Sequence, residues 1–160
     1  MTSQPDTHTV WPPDVTTLAI DVGGTGLKAS VLGAQGTMTT DRVRIITPYP
    51  CPPEVLVDHL LELSKDLPEY NRVSVGFPGL VRHGRVYNIP AFSRLEYGGP
   101  PTDDLAAQWH GYDLAHALAE AFDVPVKVAN DADVQGCAVV KGDGFEFVMT
   151  LGTGCGTAVF

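Results

Sequence analysis

The sequence predicts an α/β fold built on one mixed, five-stranded sheet with helices on both faces. Up to residue 46, three apolar segments alternate with period two and are joined by short turns that contain glycine, which is typical of antiparallel strands. From residue 53 onwards, helical and strand patterns alternate along the chain, which predicts parallel strands joined by right-handed crossovers. The sheet is therefore expected to begin with an antiparallel pair and to continue with parallel strands.

The first two strands are predicted to form a hairpin around a glycine-rich turn. Apolar residues alternate over Leu18–Val22, stop at Gly23-Gly24-Thr25-Gly26 and resume at Leu27. Glycine permits positive φ angles in such a turn and, without a Cβ atom, lets backbone N–H groups come close to an anion. Asp21 lies beside the turn, and a carboxylate there indicates a metal ion that is bound together with a phosphate. A turn that merely requires glycines is the alternative, but it does not account for Asp21 or for Lys28 just past the turn.

The spacing of apolar residues and the positions of proline and glycine predict the helices and strands that follow the hairpin. Residues 37–46 alternate as a third strand, and leucines at positions 56, 60, 63 and 67 form one apolar stripe of a helix that begins at Pro53 and is closed by Pro68. A short apolar run predicts a fourth strand at 72–76. The later predictions are a hairpin at 81–87, a helix at 112–122, a buried strand at 124–129, a helix at 134–140, a fifth core strand at 145–151 and a further strand from residue 157.

Residues 88–108 follow neither pattern. The segment is irregular and rich in Pro, Gly and Asp, and such a stretch inside a compact domain is usually a functional flap or a disordered insertion. Residues 1–15, which come before the first strand, are interpreted as a flexible tail. We therefore expect a single domain at 16–160 with a flap or insertion at about 88–108.

Composition disfavours several classes of function. The 160 residues carry a net charge of −9, which argues against a nucleic-acid-binding protein, because such proteins need a basic face. No apolar run approaches the length of a membrane span, and the N-terminus lacks a signal-peptide pattern. We therefore expect a cytoplasmic protein with no membrane partner. The three cysteines lack metal-site spacing and are predicted to be free thiols.

Three polar turns follow predicted strands, and together they describe a phosphoryl-transfer site. They are Asp21–Thr25, Asn130-Asp131 and a second glycine loop at Gly152–Gly156. Phosphoryl transfer depends mainly on positioning and charge neutralisation, which glycine loops and carboxylates supply. Asp131 lies where a helix is expected to begin, so the helix dipole favours its ionised form and leaves it able to accept a hydroxyl proton. The alternatives are that Asp131 only caps the helix and that Gly152–Gly156 is an ordinary hairpin loop.

Four motifs resemble the N-terminal lobe of the ROK family, which contains bacterial glucokinases and related sugar kinases. They are D-V-G-G-T-G-L-K (21–28), G-F-P-G-L-V (76–81), V-A-N-D-A-D (128–133) and L-G-T-G-C-G-T (151–157), in the family's order, and the resemblance covers most of residues 16–160. It implies the ribonuclease H-like fold of an actin-like ATPase domain. It also implies a kinase that uses ATP and Mg²⁺ to phosphorylate a hexose, usually at the 6-hydroxyl of glucose, although some similar proteins use polyphosphate.

The resemblance also implies a role for each matching residue. Asp131 matches the catalytic base, Asn130 a sugar-hydroxyl ligand, and Asp21 the carboxylate that helps to hold the metal. Gly79 and Asn88 lie near the sugar-loop positions, although Asn88 is also typical of a turn. The two phosphate loops are matched by Gly23, Gly24, Thr25 and Lys28, and by Gly152, Thr153 and Gly154.

Similar proteins continue into a second lobe, which carries a Cys-rich zinc motif, further sugar ligands and most of the adenosine pocket. We expect that lobe to be absent from this chain, so that the 160 residues alone are folded, nearly inactive towards glucose and prone to self-associate. The expected partners are a hexose, a nucleotide and further copies of the chain. The alternatives are a non-catalytic lobe that completes a cleft with a partner, a lobe that acts in sugar sensing or transcriptional regulation, and a polyphosphate-dependent glucokinase.

Overall fold

The computed structural model describes residues 14–151 and 155–160. No helix in this part of the chain is both long and apolar enough to cross a bilayer. In chain order the elements are β1 Thr17–Val22, β2 Leu27–Leu32, β3 Val43–Ile45, α1 Pro53–Ser64, β4 Arg72–Phe77, β5 Leu80–Arg82, β6 Arg85–Asn88, α2 Asp103–Trp109, β7 Tyr112–Asp113, α3 Leu114–Phe122, β8 Val126–Asn130, α4 Asp131–Gly136, β9 Phe147–Leu151 and β10 Cys155–Val159.

Five strands form the central mixed sheet, in the order β3–β2–β1–β4–β8. β1 is antiparallel to β2 and parallel to β4, and β8 lies parallel to β4 on the far side. The five-stranded mixed sheet that the sequence predicts is thus confirmed. In this register Asp21 is paired with Lys28 on one side and with Gly76 on the other. A second, three-stranded sheet consists of β5, β6 and β7.

One face of the central sheet carries the hydrophobic core. Leu18 and Ile20 of β1 are paired with Val73 and Val75 of β4, so their side chains share a face, and all four are at most 4% exposed. Helix α1 packs against β2 and β3, and α3 packs against α1 and β8. Burial of each such side chain contributes about 1.5–3 kcal/mol. This core holds the ends of the central strands in fixed positions.

The opposite face carries smaller and more polar side chains, including Thr17, Ala19 and Ser74. Helix α4 contacts this face at the end of β4, because a Cβ atom built on Gly76 would lie 3.6 Å from the Cα atom of Asp131. Helices therefore lie against both faces, and the first residue of α4 is held over the carboxyl end of the sheet.

The segment at 88–108, predicted to be an irregular flap or insertion and called the flap from here on, contains most of α2 and is packed on the core by aromatic residues. Phe92 and Trp109 pack against Phe77, with ring centroids 5.9 and 5.4 Å from that of Phe77. The indole Nε1–H of Trp109 donates to the carbonyl of Cys51 at 3.0 Å. Cys51, Cys137 and Cys155 are free thiols, as predicted.

The prediction of a core strand at 145–151 is wrong. Strand β9 pairs with β10 in a separate two-stranded sheet instead of joining the central one. Its apolar side chains are exposed, with Phe147 and Met149 each at 55%. Alternation identified a strand correctly, but it does not show which sheet the strand joins or whether its apolar face is covered.

Several predicted bounds are also corrected. The third strand is confined to Val43–Ile45, the helix at 112–122 begins two residues later after the short strand β7, and the strand at 124–129 is shifted to Val126–Asn130. The helix expected at 134–140 instead spans Asp131–Gly136, because the Asn130 side chain caps it by accepting from the N–H of Ala132 at 2.9 Å.

Candidate active site

A cavity of about 570 Å³ opens at the carboxyl ends of β1, β4 and β8. Ligands of open α/β sheets commonly bind at this edge. The glycine loop between β1 and β2, the start of α4, the flap and the β9–β10 hairpin all contribute to its walls. The lining residues are Asp21–Gly26, Lys28, Pro78, Gly79, Pro90, Ala91, Tyr97, Asn130, Asp131, Gln135, Thr150, Leu151, Cys155 and Gly156.

The carbonyl groups of the glycine loop Gly23–Gly26 are held by side chains from the following segment. Those of the first three loop residues accept, in order, from Thr47 Oγ1 at 2.6 Å, from the Tyr49 hydroxyl at 2.9 Å and from Arg44 Nη2 at 3.4 Å. Burial raises the pKa of the Tyr49 phenol, so that it remains protonated and able to donate. These contacts fix the direction in which the loop presents its peptide groups.

The N–H groups of the loop are largely unused. That of Gly23 donates across the turn to the Gly26 carbonyl at 3.1 Å. Within residues 14–151 and 155–160, the N–H groups of Gly24, Thr25 and Gly26 make no hydrogen bond. Adjacent free donors beside a cavity form a site where a phosphate oxygen can bind.

The loop contains glycines because neighbouring atoms lie close to their Cα atoms, and not because the backbone adopts positive φ angles, which the sequence also allowed. None of the three loop glycines is among the described residues with positive φ. A Cβ atom on Gly23 would lie 2.9 Å from the Gly26 carbonyl oxygen, and one on Gly26 would lie 2.7 Å from Arg44 Nε. The backbone contact means that position 23 requires glycine for steric reasons, whereas a side chain at position 26 would have to displace the guanidinium group of Arg44.

Asp21 reaches the cavity beside this loop and pairs with Lys28, whose Nζ atom lies 2.8 Å from Asp21 Oδ2. The Asp21 side chain is half exposed and that of Lys28 one-third exposed. The described residues contain no group of three or more His, Cys, Asp or Glu that could hold a metal ion. Mg²⁺ is commonly held by one or two carboxylates together with water and substrate phosphates. The residues present therefore fit a magnesium ion that arrives with a phosphate donor.

Asp131 lies at the first position of α4 and lines the same cavity as the glycine loop. Burial raises the pKa of its carboxyl group above the ordinary value, and the negative charge of Asp21 adds to the increase, while the N–H of Ala132 acts in the opposite direction. Its Oδ1 atom accepts from that N–H at 2.9 Å. A half-buried carboxylate with a raised pKa is a better proton acceptor than an exposed one.

Asn130 is the residue that caps α4, so the capping role considered for Asp131 falls on its neighbour. The Asn130 Oδ1 atom accepts from the N–H of Ala132, and its Nδ2 atom donates to the carbonyl of Gly79 at 2.9 Å. The side chain lines the cavity while linking α4 to the turn after β4. The Nδ2 atom also lies 3.5 Å from the carbonyl of Phe77, and sugar binding by Asn130 stays a prediction.

Gly79 and Asn88 are brought together, but they differ in their relation to the cavity. A Cβ atom on Gly79 would clash with the Asn88 carbonyl oxygen and lie 3.3 Å from the Cβ atom of Ile89. Gly79 lines the cavity, whereas Asn88 ends β6 and is not among the lining residues. The predicted second loop, Gly152, Thr153 and Gly154, lies outside the described residues; its neighbours Leu151 and Cys155 line the cavity.

Sequence reasoning missed two aromatic residues of this site. Tyr97 from the flap lines the cavity, and its Cε2 atom would lie 3.7 Å from a Cβ atom on Gly24. Its ring packs edge-on against Tyr49, with centroids 6.2 Å apart. The length of the irregular segment pointed to a flap, but no local pattern showed that Tyr97 would reach the glycine loop.

A mixed five-stranded sheet with helices on both faces, a glycine-rich hairpin between its first two strands and a carboxylate at the helix start after β8 is the arrangement of the N-terminal lobe of an actin-like ATPase fold. The family model described as ROK family matches residues 17–160. The chain belongs to the ROK family.

Curated relatives and a solved structure agree with this assignment. The chain is 28% identical to polyphosphate glucokinase of Mycobacterium tuberculosis, covering 88% of the chain and 51% of that protein. It is 34% identical to N-acetylmannosamine kinase of Escherichia coli, covering 91% of the chain and 47% of that protein. The crystal structure of inorganic polyphosphate/ATP-glucomannokinase from Arthrobacter sp. strain KM superposes with a TM-score of 0.72 at 28% identity, covering 91% of this chain and 58% of that one. The chain thus spans about half the length of the curated relatives that it matches.

Proposed function

We propose that this chain is the N-terminal lobe of a sugar kinase that transfers the γ-phosphoryl group of ATP to the 6-hydroxyl of a hexose, with Asp131 as the general base. The supporting observation is that Asp131, a half-buried carboxylate with a raised pKa, shares one cavity with a glycine loop in which three N–H groups make no hydrogen bond to the described residues. A base and a phosphate-binding loop in one cavity are two parts that phosphoryl transfer to a hydroxyl requires. The sugar kinases among the relatives favour the same reaction class.

In the proposed reaction, the sugar hydroxyl oxygen attacks the γ-phosphorus, and the bond from that phosphorus to its bridging oxygen breaks, so that ADP leaves. The hydroxyl proton passes to the Asp131 carboxylate. The N–H groups of Gly24 and Thr25, together with the Lys28 ammonium, would stabilise negative charge on the phosphates of the donor. Asp21 would help to hold Mg²⁺, which neutralises phosphate charge when it is bound.

Glucose is the first hexose to test, since two of the relatives named above are a glucokinase and a glucomannokinase. N-acetylmannosamine and mannose complete the panel, because one relative is an N-acetylmannosamine kinase and the solved structure is that of a glucomannokinase. A coupled assay of sugar phosphate formation by the full-length protein ranks these substrates by kcat/KM. Absence of phosphorylation on every hexose with every donor would contradict the proposal.

The test of Asp131 is its replacement by asparagine, with Asp133→Asn as the matched control. Both aspartates lie in the first turn of α4, but Asp133 is exposed and does not line the cavity. General-base catalysis commonly contributes about 10²–10⁴-fold, so we expect kcat to fall by that factor in Asp131→Asn and by less than about threefold in Asp133→Asn.

Stability measurements separate this loss from unfolding. Because the pKa of Asp131 is raised in the folded protein, its ionisation opposes folding, and that cost is present at neutral pH and disappears as the pH falls through the unfolded value. Asp131→Asn is therefore expected to melt at the same temperature as the native protein or higher at pH 7. Near-native kcat in this variant would overturn the assignment of the base.

A further inference from the structure

Lys28 and Arg44 form a pair of neighbouring cations at the edge of the central sheet. They are cross-strand partners on β2 and β3, and β3 is the edge strand. Like charges directly opposite each other on a sheet are destabilising, and the chain has 10 basic residues against 19 acidic ones. Two adjacent cations beside a cavity of such a protein indicate a place where an anion binds.

The two cations differ in how far their charge is already balanced. Lys28 pairs with Asp21 at 2.8 Å. Among the described residues, no carboxylate forms an ion pair with Arg44, whose side chain is exposed. Arg44 therefore supplies most of the uncompensated positive charge, and it carries several N–H donors that can bind phosphate oxygens.

Gly26 is what allows Arg44 to lie against the phosphate-binding loop. A Cβ atom at this position would be 2.7 Å from Arg44 Nε and 2.9 Å from Nη2. The same Nη2 atom donates to the carbonyl of Thr25 at 3.4 Å. The guanidinium group is thus packed directly on the loop, next to the N–H groups that are free to bind a phosphate.

The order of strands places these groups in one line. Across the sheet the strands lie in the order β8, β4, β1, β2 and β3. Asp131 follows β8, Asp21 is on β1, Lys28 is on β2 and Arg44 is on β3. Neighbouring strands are about 4.8 Å apart, so roughly 10 Å separates β1 from β3. The cations therefore extend away from the base, over a distance longer than one phosphate group.

We propose that Lys28 and Arg44 bind the continuing phosphate chain of inorganic polyphosphate, and that Arg44 determines the use of polyphosphate as a phosphoryl donor. The inference rests on the proposed function and names a donor for it. A sugar hydroxyl oxygen attacks the terminal phosphorus, the bond to the next bridging oxygen breaks, the proton passes to Asp131, and a chain one phosphate shorter leaves. In ATP the phosphates end after three and adenosine follows, whereas each further phosphate of polyphosphate brings another charge to the cations.

The test compares donors in the full-length protein. Arg44→Gln is expected to raise the KM for long-chain polyphosphate by about tenfold or more, since a charge-assisted contact to phosphate is lost. The KM for ATP and the KM for the sugar are expected to change by less than about threefold. Arg82→Gln, which removes an exposed arginine of β5 away from the cavity, is the matched control and is expected to change none of these values.

Gly26→Ala supplies a second, independent variant, because its methyl group displaces the guanidinium without removing it. It should weaken polyphosphate as Arg44→Gln does, and the double variant should lose no more than either single one. Equal effects on polyphosphate and ATP, or an unchanged KM for polyphosphate, would overturn the inference while leaving the kinase proposal intact. If no donor supports transfer, calorimetric titration with polyphosphate still decides: tight binding that weakens in Arg44→Gln supports the inference, and no binding overturns it.

Discussion

The central strands β1 and β4 and the hairpin β9–β10 follow the same period-two pattern and lie in opposite environments. In β4, Val75 and Phe77 are fully buried. In β9, Phe147 and Met149 alternate in the same way, yet each is 55% exposed. The hairpin contacts the rest of the described chain mainly through α4.

This difference teaches that alternation reports the shape of a segment and not its surroundings. A strand shows one apolar face whether or not another layer covers it. The central sheet is covered by α1 and α3, so its alternation becomes a core that fixes the positions of Asp21 and Asp131. The hairpin packs against α4 at Gly136 and Gly156 and reaches the cavity through Thr150, Leu151, Cys155 and Gly156.

The largest expected effect is the difference in the free energy of unfolding between alanine substitutions of Phe77 and Phe147. Phe77→Ala should destabilise the chain by about 3–5 kcal/mol, because it leaves a cavity among Phe92 and Trp109. Phe147→Ala, the matched change in the hairpin, should cost less than about 0.5 kcal/mol, since exposed substitutions usually have small effects. Urea unfolding of the 160-residue chain measures both free energies. Similar losses in the two variants would mean that the apolar face of the hairpin is covered.

An intermediate effect is expected where the hairpin meets α4. A Cβ atom on Gly156 would lie 3.0 Å from the Cβ atom of the buried Ala132 and 2.6 Å from Thr150 Oγ1. Gly156→Val should therefore destabilise the protein by about 1–3 kcal/mol through overpacking. Thr157→Val introduces valine at the next position of β10, which is exposed, and should not change the stability. Thermal unfolding of the two variants provides the comparison, and a neutral Gly156→Val would show that the hairpin is free to move away from α4.

The smallest effect on stability is expected for Gly24→Val in the glycine loop. This substitution should instead weaken the binding of the phosphoryl donor. A Cβ atom on Gly24 would make ordinary contacts at 3.6–3.7 Å with Tyr49, Ala91 and Tyr97, so the fold should tolerate a side chain there. The branched methyl groups of Gly24→Val would enter the space of the phosphates and raise the donor KM by about tenfold. Gly24→Ala is the smaller matched change. Steady-state kinetics should show an unchanged KM for the sugar; a rise in that value instead would contradict the donor role of the loop.

The helix start shows how far sequence reasoning reached within the site. The motif Asn130-Asp131 after an apolar strand predicted a carboxylate near a helix N-terminus, and the structure places Asp131 there. The sequence did not show which of the two side chains caps the helix. That choice depends on Gly79, whose carbonyl accepts from Asn130 and orients its amide towards the N–H of Ala132.

By itself, the sequence determined the elements and the loops that carry the chemistry. Alternation, helical spacing and the positions of glycine and proline are properties of neighbouring residues, so they predicted the β1–β2 hairpin, α1 and the strand before Asp131. Only the tertiary structure decided that β9 leaves the central sheet, that Arg44 packs on Gly26 and that Tyr97 reaches Gly24. These contacts join residues that are distant along the chain. They follow from how the sheet, helices and flap pack together, which no local pattern encodes.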